Sequence, residues 1–272
     1  MSEELINKVL AEVVKKMGGD APAPSAAPAP APTPAPTPAA GALPCVTEFV
    51  GTNVLGDTIG MVIANVDPKL RAMMKLEKDF RSIGILGART GAGPHIFAAD
   101  EAVKATNSEI LTIELPRDTK GGAGHGSLII FGAEDVSDAR RAVEVALGEL
   151  DRTFGDVYGN DAGHLEFQYT ARASYALNKA FGAPIGKAFG ITVGAPAGIG
   201  VVLADTAVKA ATVDVIGYAS PAGGTSYSNE VISFLSGDSG AVRQAIIAAR
   251  EVGIPLLGAL GAKPESTTTP YI

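Results

Sequence analysis

Two acid–base pairs stand in the chain at the same spacing. Asp100 precedes Lys104 by four residues, and Asp205 precedes Lys209 by four. Residues i and i+4 share one helix face, and an acid placed N-terminal to a base is the favourable orientation for a surface pair. The flanking residues match as well: Ala99-Asp100-Glu101-Ala102-Val103-Lys104-Ala105 against Ala204-Asp205-Thr206-Ala207-Val208-Lys209-Ala210. Such pairs suit an exposed helix face. They are not a reacting constellation, because no nucleophile or general base accompanies them.

Other stretches invite chemistry and fail on context. Gly91-Ala92-Gly93 and Gly198-Ile199-Gly200 follow strand-like segments, but Ile96 and Leu203 stand where GxGxxG needs a third glycine. No acidic residue is placed to hold a ribose, so dinucleotide binding is not supported. Gly237-Asp238-Ser239-Gly240 copies a serine-protease signature yet opens a helix, where Asp and Ser are ordinary capping residues. Gly124-His125-Gly126-Ser127 is not GxSxG, since Ile129 holds the last glycine position. His95, His125 and His164 have no metal-ligand spacing, and the single cysteine, Cys45, offers them no thiolate partner. His125 alone draws interest, because it lies in a glycine-rich loop. No catalytic residue, cofactor or metal is expected.

The elements that carry the pairs are duplicated. Residues 84–116 and 190–221 align, without a gap from Ile96/Val201 to Pro116/Pro221, and the duplication dictates how every motif is read. In the first copy, strand-like pieces lie at 47–50 and 61–65, followed by a helix over 68–80. A strand at 82–86, a helix at 94–106, strands at 109–115 and 128–131, and a helix from 135 to 150 come next. The second copy repeats the order: strand then helix over 169–181, strand 189–193, helix 201–211, strands 213–219 and 231–235, helix 240–252. The two glycine-rich loops differ. The first runs through Lys120, Gly121, Gly122, Ala123, Gly124, His125 and Gly126; the second includes Gly223, Gly224, Thr225 and Ser226.

The 272 residues divide into a helix at 1–17, a linker at 18–44, two domains at 45–155 and 156–263, and a tail at 264–272 expected to be exposed. Leu5, Ile6, Val9, Leu10, Val13 and Val14 form a narrow apolar stripe on the first helix. The Pro/Ala tract behind it predicts a semi-rigid spacer with a reach of about 60 Å, at roughly 3.1 Å per residue. A helix held away from the body reads as a docking peptide for another protein. Net charge of −7 without a basic stripe argues against nucleic acid, and no apolar run reaches membrane-span length. One cysteine fits a reducing cytosol. Aromatics at 6% and the absence of Trp mean that Ala, Val, Ile and Leu must build the cores.

The paired A-V-K-A helix, the strand–loop–strand after it, and Gly237-Asp238-Ser239-Gly240-Ala241-Val242-Arg243 together resemble the bacterial microcompartment shell domain. The strand–helix piece that usually ends that domain stands at the front of each copy, which resembles the circularly permuted, tandem-domain members. The stretches RSIGILGARTGAGPH (81–95), IELPRDTKGGAGHGS (113–127) and LDRTFGDVYGN (150–160) are further similar to shell proteins of the propanediol-utilising type.

The resemblance implies an α+β fold of two permuted shell domains in a sandwich-like arrangement, with three chains forming a pseudohexameric homotrimer. It implies a structural component rather than an enzyme, located in a microcompartment shell within the cytoplasm. Lys104 and Lys209, with Asp100 and Asp205, would then lie along tile–tile contacts with other shell proteins. The two glycine-rich loops would border openings for small polar metabolites, diols or glycerol-like, and the N-terminal helix would attach enzyme cargo. The competing reading is a soluble enzyme or small-molecule sensor built from duplicated α/β domains.

Overall fold

The computed structural model describes residues 46–76, 78–117 and 124–272. The docking stripe Leu5–Val14, the linker, and Lys120, Gly121, Gly122 and Ala123 lie outside the described residues.

The first copy opens with strands β1 (Phe49–Asn53) and β2 (Thr58–Ile63) and the short helix α1 (Pro68–Met74). The Asp67 carboxylate caps α1 by accepting from the N–H groups of Lys69 and Leu70. The helix stops at Met74, short of the predicted residue 80, because Lys75 takes a left-handed conformation at φ 52°. Strand β3 (Ser82–Ala88), helix α2 (Ala92–Ala105), strands β4 (Glu109–Glu114) and β5 (Ser127–Ala133) and helix α3 (Val136–Thr153) follow. These make an antiparallel sheet in the order β1-β2-β3-β5-β4.

The second copy repeats it: β6 (Val157–Asn160), β7 (Gly163–Thr170), α4 (Tyr175–Phe181), β8 (Ala188–Ala195), α5 (Ala197–Ala210), β9 (Asp214–Ala219), β10 (Val231–Gly237) and α6 (Ser239–Gly258). Its sheet runs β11-β6-β7-β8-β10-β9, with β11 (Glu265–Ser266) added at the edge. Asp135 and Asp238 occupy the N-cap positions of α3 and α6, but neither side chain makes the expected capping bond. Ser239 instead shares a 2.5 Å hydrogen bond with the Tyr169 hydroxyl.

Small residues bring helix and sheet together. A Cβ on Gly84 would stand 2.6 Å from the Ala139 carbonyl, and one on Gly190 would stand 3.0 Å from Val242. Each copy therefore needs glycine at the middle of its central strand for its last helix to lie down on it. Ala98, Ala99, Ala102, Ala142 and Ala146 are fully buried in the main core, so the low aromatic content is used where close approach matters. The larger volumes come from a stack of Phe97, Phe181, Phe189 and Phe234, with centroids 5.0 to 6.5 Å apart. This stack joins the copies, since Phe97 belongs to α2 and the other three to the second copy.

The tail, expected to be exposed, is anchored at its end: Ile272 is buried and Tyr271 half-buried, while Glu265, Thr267, Thr269 and Pro270 are exposed. Asp156 accepts from the N–H groups of Tyr271 and Ile272 at 2.9 and 3.1 Å. Arg250 completes the clamp, pairing with Asp156 at 2.5 Å and donating to the Ile272 carbonyl at 2.8 Å. Arg152, from the end of α3, lies over the Tyr271 ring.

Candidate functional site between the two copies

The repeated acid–base pair has two different settings. In the second copy Asp205 and Lys209 pair at 2.7 Å, and the Asp205 side chain is 56% exposed. In the first copy the Asp100 side chain is 1% exposed, which corrects the expectation of an open face for both pairs. Helix α4 of the second copy covers it. Both Asp100 oxygens accept the Ser174 N–H at 3.0 Å, and Oδ1 accepts the Leu177 N–H at 3.2 Å. Ser174, at the N-cap position of α4, makes no capping bond of its own. Asp100 therefore caps a helix of the other copy, with negative charge at the positive end of the helix dipole. Burial pushes its carboxyl upward, and Lys104 at 2.9 Å with the two N–H groups pulls it back. Lys104 remains partly exposed and also contacts Glu101 and Thr170.

The surrounding surface follows the same asymmetry. On the first copy Ile110 is 7% exposed; its repeat equivalent, Val215, is 53% exposed. Ile96 and Phe97 are buried, whereas Val201 and Val202 face solvent. At the opposite end of the chain, Leu70 is 48% exposed while its equivalent Leu177 is fully buried. The contact that α4 makes on α2 and β4 thus leaves two complementary halves unfilled, one on α5 and β9, the other on α1.

Beside this junction lies a cavity of about 450 Å³ with walls from both copies. Ile96, Phe181, Ile191 and Phe234 give it an apolar side, and Glu166 and Glu230 bring carboxyl groups to it. Of the loop residues singled out from sequence, Gly124, His125, Gly224, Thr225 and Ser226 line it; Gly126 and Gly223 do not. The second loop is knit by its own backbone. Ser220 and Gly223 exchange hydrogen bonds at 2.7 and 2.9 Å, and the buried Thr225 hydroxyl donates to Ser228 at 3.1 Å.

Four titratable groups from three segments converge there. The Glu230 carboxylate stands between His125 Nδ1 at 3.6 Å and His164 Nε2 at 3.4 Å. Glu166, one strand face along from His164, is buried against Gly93 in the first turn of α2; a Cβ at Gly93 would collide with it. Burial, then the neighbouring Glu230, pushes Glu166 up to about 8, so it holds its proton at neutral pH. Glu166 Oε1, Glu230 Oε1 and His164 Nε2 have no hydrogen-bond partner. Sequence reading missed both glutamates and left His164 as a plain surface histidine. The one available signal was alternation along β7, which puts His164 and Glu166 on the same face. Among the described residues, no group of three or more His, Cys, Asp or Glu side chains is placed to hold a metal, and no helix is long and apolar enough to cross a membrane.

Two antiparallel sheets of matching strand order, each with helices packed on it and with a pocket lined from both, define a duplicated α+β domain. The BMC domain family model matches residues 82–160 and 188–261. The bacterial microcompartment shell protein PduB of Citrobacter freundii is 63% identical over 271 residues, covering 100% of this chain and 99% of that protein. PduB of Salmonella typhimurium is equally similar. Among solved structures, a trimeric PduB shell protein superposes with a TM-score of 0.81 at 55% identity, covering 84% of this chain and all of that one. EtuB from Clostridium kluyveri gives 0.80 at 58% identity, with the same coverage. The chain belongs to the BMC domain family, as a tandem-domain microcompartment shell protein of the PduB group. It is a structural component of the shell rather than an enzyme.

Proposed function

We propose that three copies of this chain close into a six-domain ring, a shell tile that passes small polar metabolites and carries cargo on its N-terminal arm. The observation that carries the ring is the unequal burial of equivalent faces. Within one chain α4 docks on α2 and β4; between chains, α1 would dock on α5 and β9 in the same way. Such a head-to-tail contact is heterologous, and closes into a ring when its rotation divides a full turn. Three two-domain chains then give six similar contacts. The trimeric PduB structure supports the same count. Ring closure would bring Lys209 into the partly covered setting that Lys104 already has, leaving six lysines around the rim for tile–tile contacts with other shell proteins.

The cavity beside each intrachain junction suits passage of diols or glycerol-like molecules, having apolar walls with a few carboxyl and hydroxyl groups. The enclosed pathway would be propanediol utilisation, as the resemblance of residues 81–95, 113–127 and 150–160 implies. The apolar stripe Leu5, Ile6, Val9, Leu10, Val13 and Val14 would dock enzyme cargo through the linker.

Light scattering on the purified full chain tests the ring. A trimer is expected, dissociated by Val215→Asp or Leu70→Asp; a wild-type monomer would contradict it. Changing Lys104 and Lys209 to Arg, which keeps the charge beside Asp100 and Asp205, should spare the trimer and weaken the sheets seen under the electron microscope; sheets as extensive as those of the wild type would remove the edge role. Deleting residues 1–44 should spare both and release cargo; cargo retained on shells without the arm would refute the docking role.

A further inference from the structure

Residues 265–272 run back across the joint between the copies. Only Phe154, Gly155 and Asp156 separate the end of α3 in the first copy from β6 in the second. The tail bonds to both sides of that crossover. On the first copy, the Thr268 hydroxyl donates to the Asp151 carbonyl, and the Arg152 guanidinium lies 4.9 Å from the centre of the Tyr271 ring. On the crossover, the Ser266 hydroxyl donates to the Gly155 carbonyl at 2.6 Å, and the Thr267 N–H donates to the Val157 carbonyl at 2.9 Å. On the second copy, β11 pairs with β6, and the Tyr271 hydroxyl reaches β7. It donates to the Tyr169 carbonyl at 2.9 Å and accepts the Tyr169 N–H at 3.1 Å. We infer that residues 265–272 are a strap across the joint, and that Tyr271 is a positioning residue that seats α4 on α2 and so fixes the angle between the copies. The strap acts within one chain and does not depend on the proposed ring.

Tyr169 is the point through which the strap acts. Strand β7 ends one residue later, at Thr170, and the chain passes from there to Ser174 and α4. Thr170 Oγ1 accepts from Lys104 at 3.4 Å, while the Ser174 and Leu177 N–H groups donate to Asp100 at 3.0 and 3.2 Å. Strand β6 pairs with β7 only between Gly163 and Glu166, so the edge of β7 beyond it needs other partners. The Phe167 N–H finds the Asp156 carbonyl at 3.0 Å, and Tyr169 finds the tail. The first copy meets the same need differently. By the sheet registers Val62 stands there where Tyr169 stands in the second copy, and its N–H donates to the Glu48 carbonyl at 2.8 Å. In the second copy the segment leading into β6 is the crossover itself, and the tail takes the place that residue 48 fills in the first.

The bed on which the tail lies is built for it. Gly155 leaves the room: a Cβ there would stand 2.1 Å from the Thr269 carbonyl oxygen. Asp156 is fully buried beside Arg250. A buried ion pair is costly unless its remaining donors and acceptors are met. The Tyr271 and Ile272 N–H groups meet those of Asp156, and the Ile272 carbonyl accepts from Arg250. In the first copy Gly51 and Leu147 stand in the places of Asp156 and Arg250, with the Leu147 side chain 3.1 Å from where a Cβ on Gly51 would lie. The charged pair thus occurs only where the tail lands.

Hydrogen–deuterium exchange on the full chain, resolved to single amides by mass spectrometry, tests the strap. Tyr271→Phe removes only the hydroxyl. Gly155→Ala lifts the tail from the crossover and leaves Tyr271 and Tyr169 as they are. Each variant should speed exchange at Tyr169, Ser174 and Leu177 about tenfold, the scale set by leaving a backbone contact unmade, with β3 and β5 unchanged. Wild-type rates at Ser174 and Leu177 alongside a faster Tyr169 would overturn the positioning role. So would an equal rise across β3 and β5, which marks a general loosening of the fold. Unprotected amides at Tyr271 and Ile272 in the wild type would overturn the strap itself.

Discussion

Asp100 Oδ1 accepts the backbone N–H of Leu177 at 3.2 Å, so a carboxylate in one copy caps a helix of the other. Lys104 neutralises that carboxylate at 2.9 Å. Removing the carboxylate would leave the Ser174 and Leu177 N–H groups unsatisfied at a buried junction. Asp100→Ala is expected to cost about 3 kcal/mol, the usual penalty for breaking a buried charged contact. Asp205→Ala is expected to cost under about 1 kcal/mol, because Asp67 already caps α1, the helix that the ring would lay over Asp205. Denaturant melts of the two variants compare them directly; equal losses would mean that Asp100 does not hold the copies together.

A pH dependence follows from Glu166. Its carboxyl is raised to about 8 in the folded chain, from an ordinary value of 4.5. The unfolded chain therefore gives up this proton first. The stability associated with it is full below pH 4.5 and is lost as pH rises through about 8, each pH unit of that window removing about 1.4 kcal/mol. Glu166→Gln keeps the shape and removes the titration. Melting temperature of this variant should be flatter between pH 5 and 9 than that of wild type; parallel profiles would contradict the assignment.

The tail supplies another prediction. Asp156 holds Tyr271, Ile272 and Arg250 together, and is itself fully buried. Asp156→Ala strands the largely buried Arg250 and two backbone donors, with an expected loss of about 3 to 5 kcal/mol. Deleting residues 265–272 would also uncover the edge of β6, to which β11 pairs. Limited proteolysis should then cut the tail-less form near residues 155–160; unchanged protection there would show that the tail is not a strap.

Much of this architecture was legible because it is local and repeated. The A-V-K-A cores fixed two helices, the glycine-rich turns marked the ends of β3 and β8, and Gly237-Asp238 marked the start of α6. The resemblance to shell domains rested on those strings and pointed to the right family. The setting of Asp100 was not legible, since nothing in an i,i+4 pair tells whether another domain covers it. The bridge of His125, Glu230 and His164 was hidden for a different reason. Its members come from a loop of one copy and a loop and strand of the other: the second copy's sheet sets Glu230 beside His164, and the packing of the two copies adds His125. The tail looked exposed because TTTPYI has no periodic apolar pattern. Its hold comes from backbone donors meeting one buried aspartate, which composition does not reveal.

Ring closure by repetition of the intrachain contact is the centre of the account, and the mass of a charge-reversal pair tests it most directly. Val215→Asp should break the ring by placing a charge on the face that receives α1. Leu70→Lys, on the α1 face equivalent to buried Leu177, should break it alone and restore it when combined with Val215→Asp. The account predicts monomers for each single variant and recovered trimers for the double variant in light scattering. Trimers that persist in both single variants would contradict it.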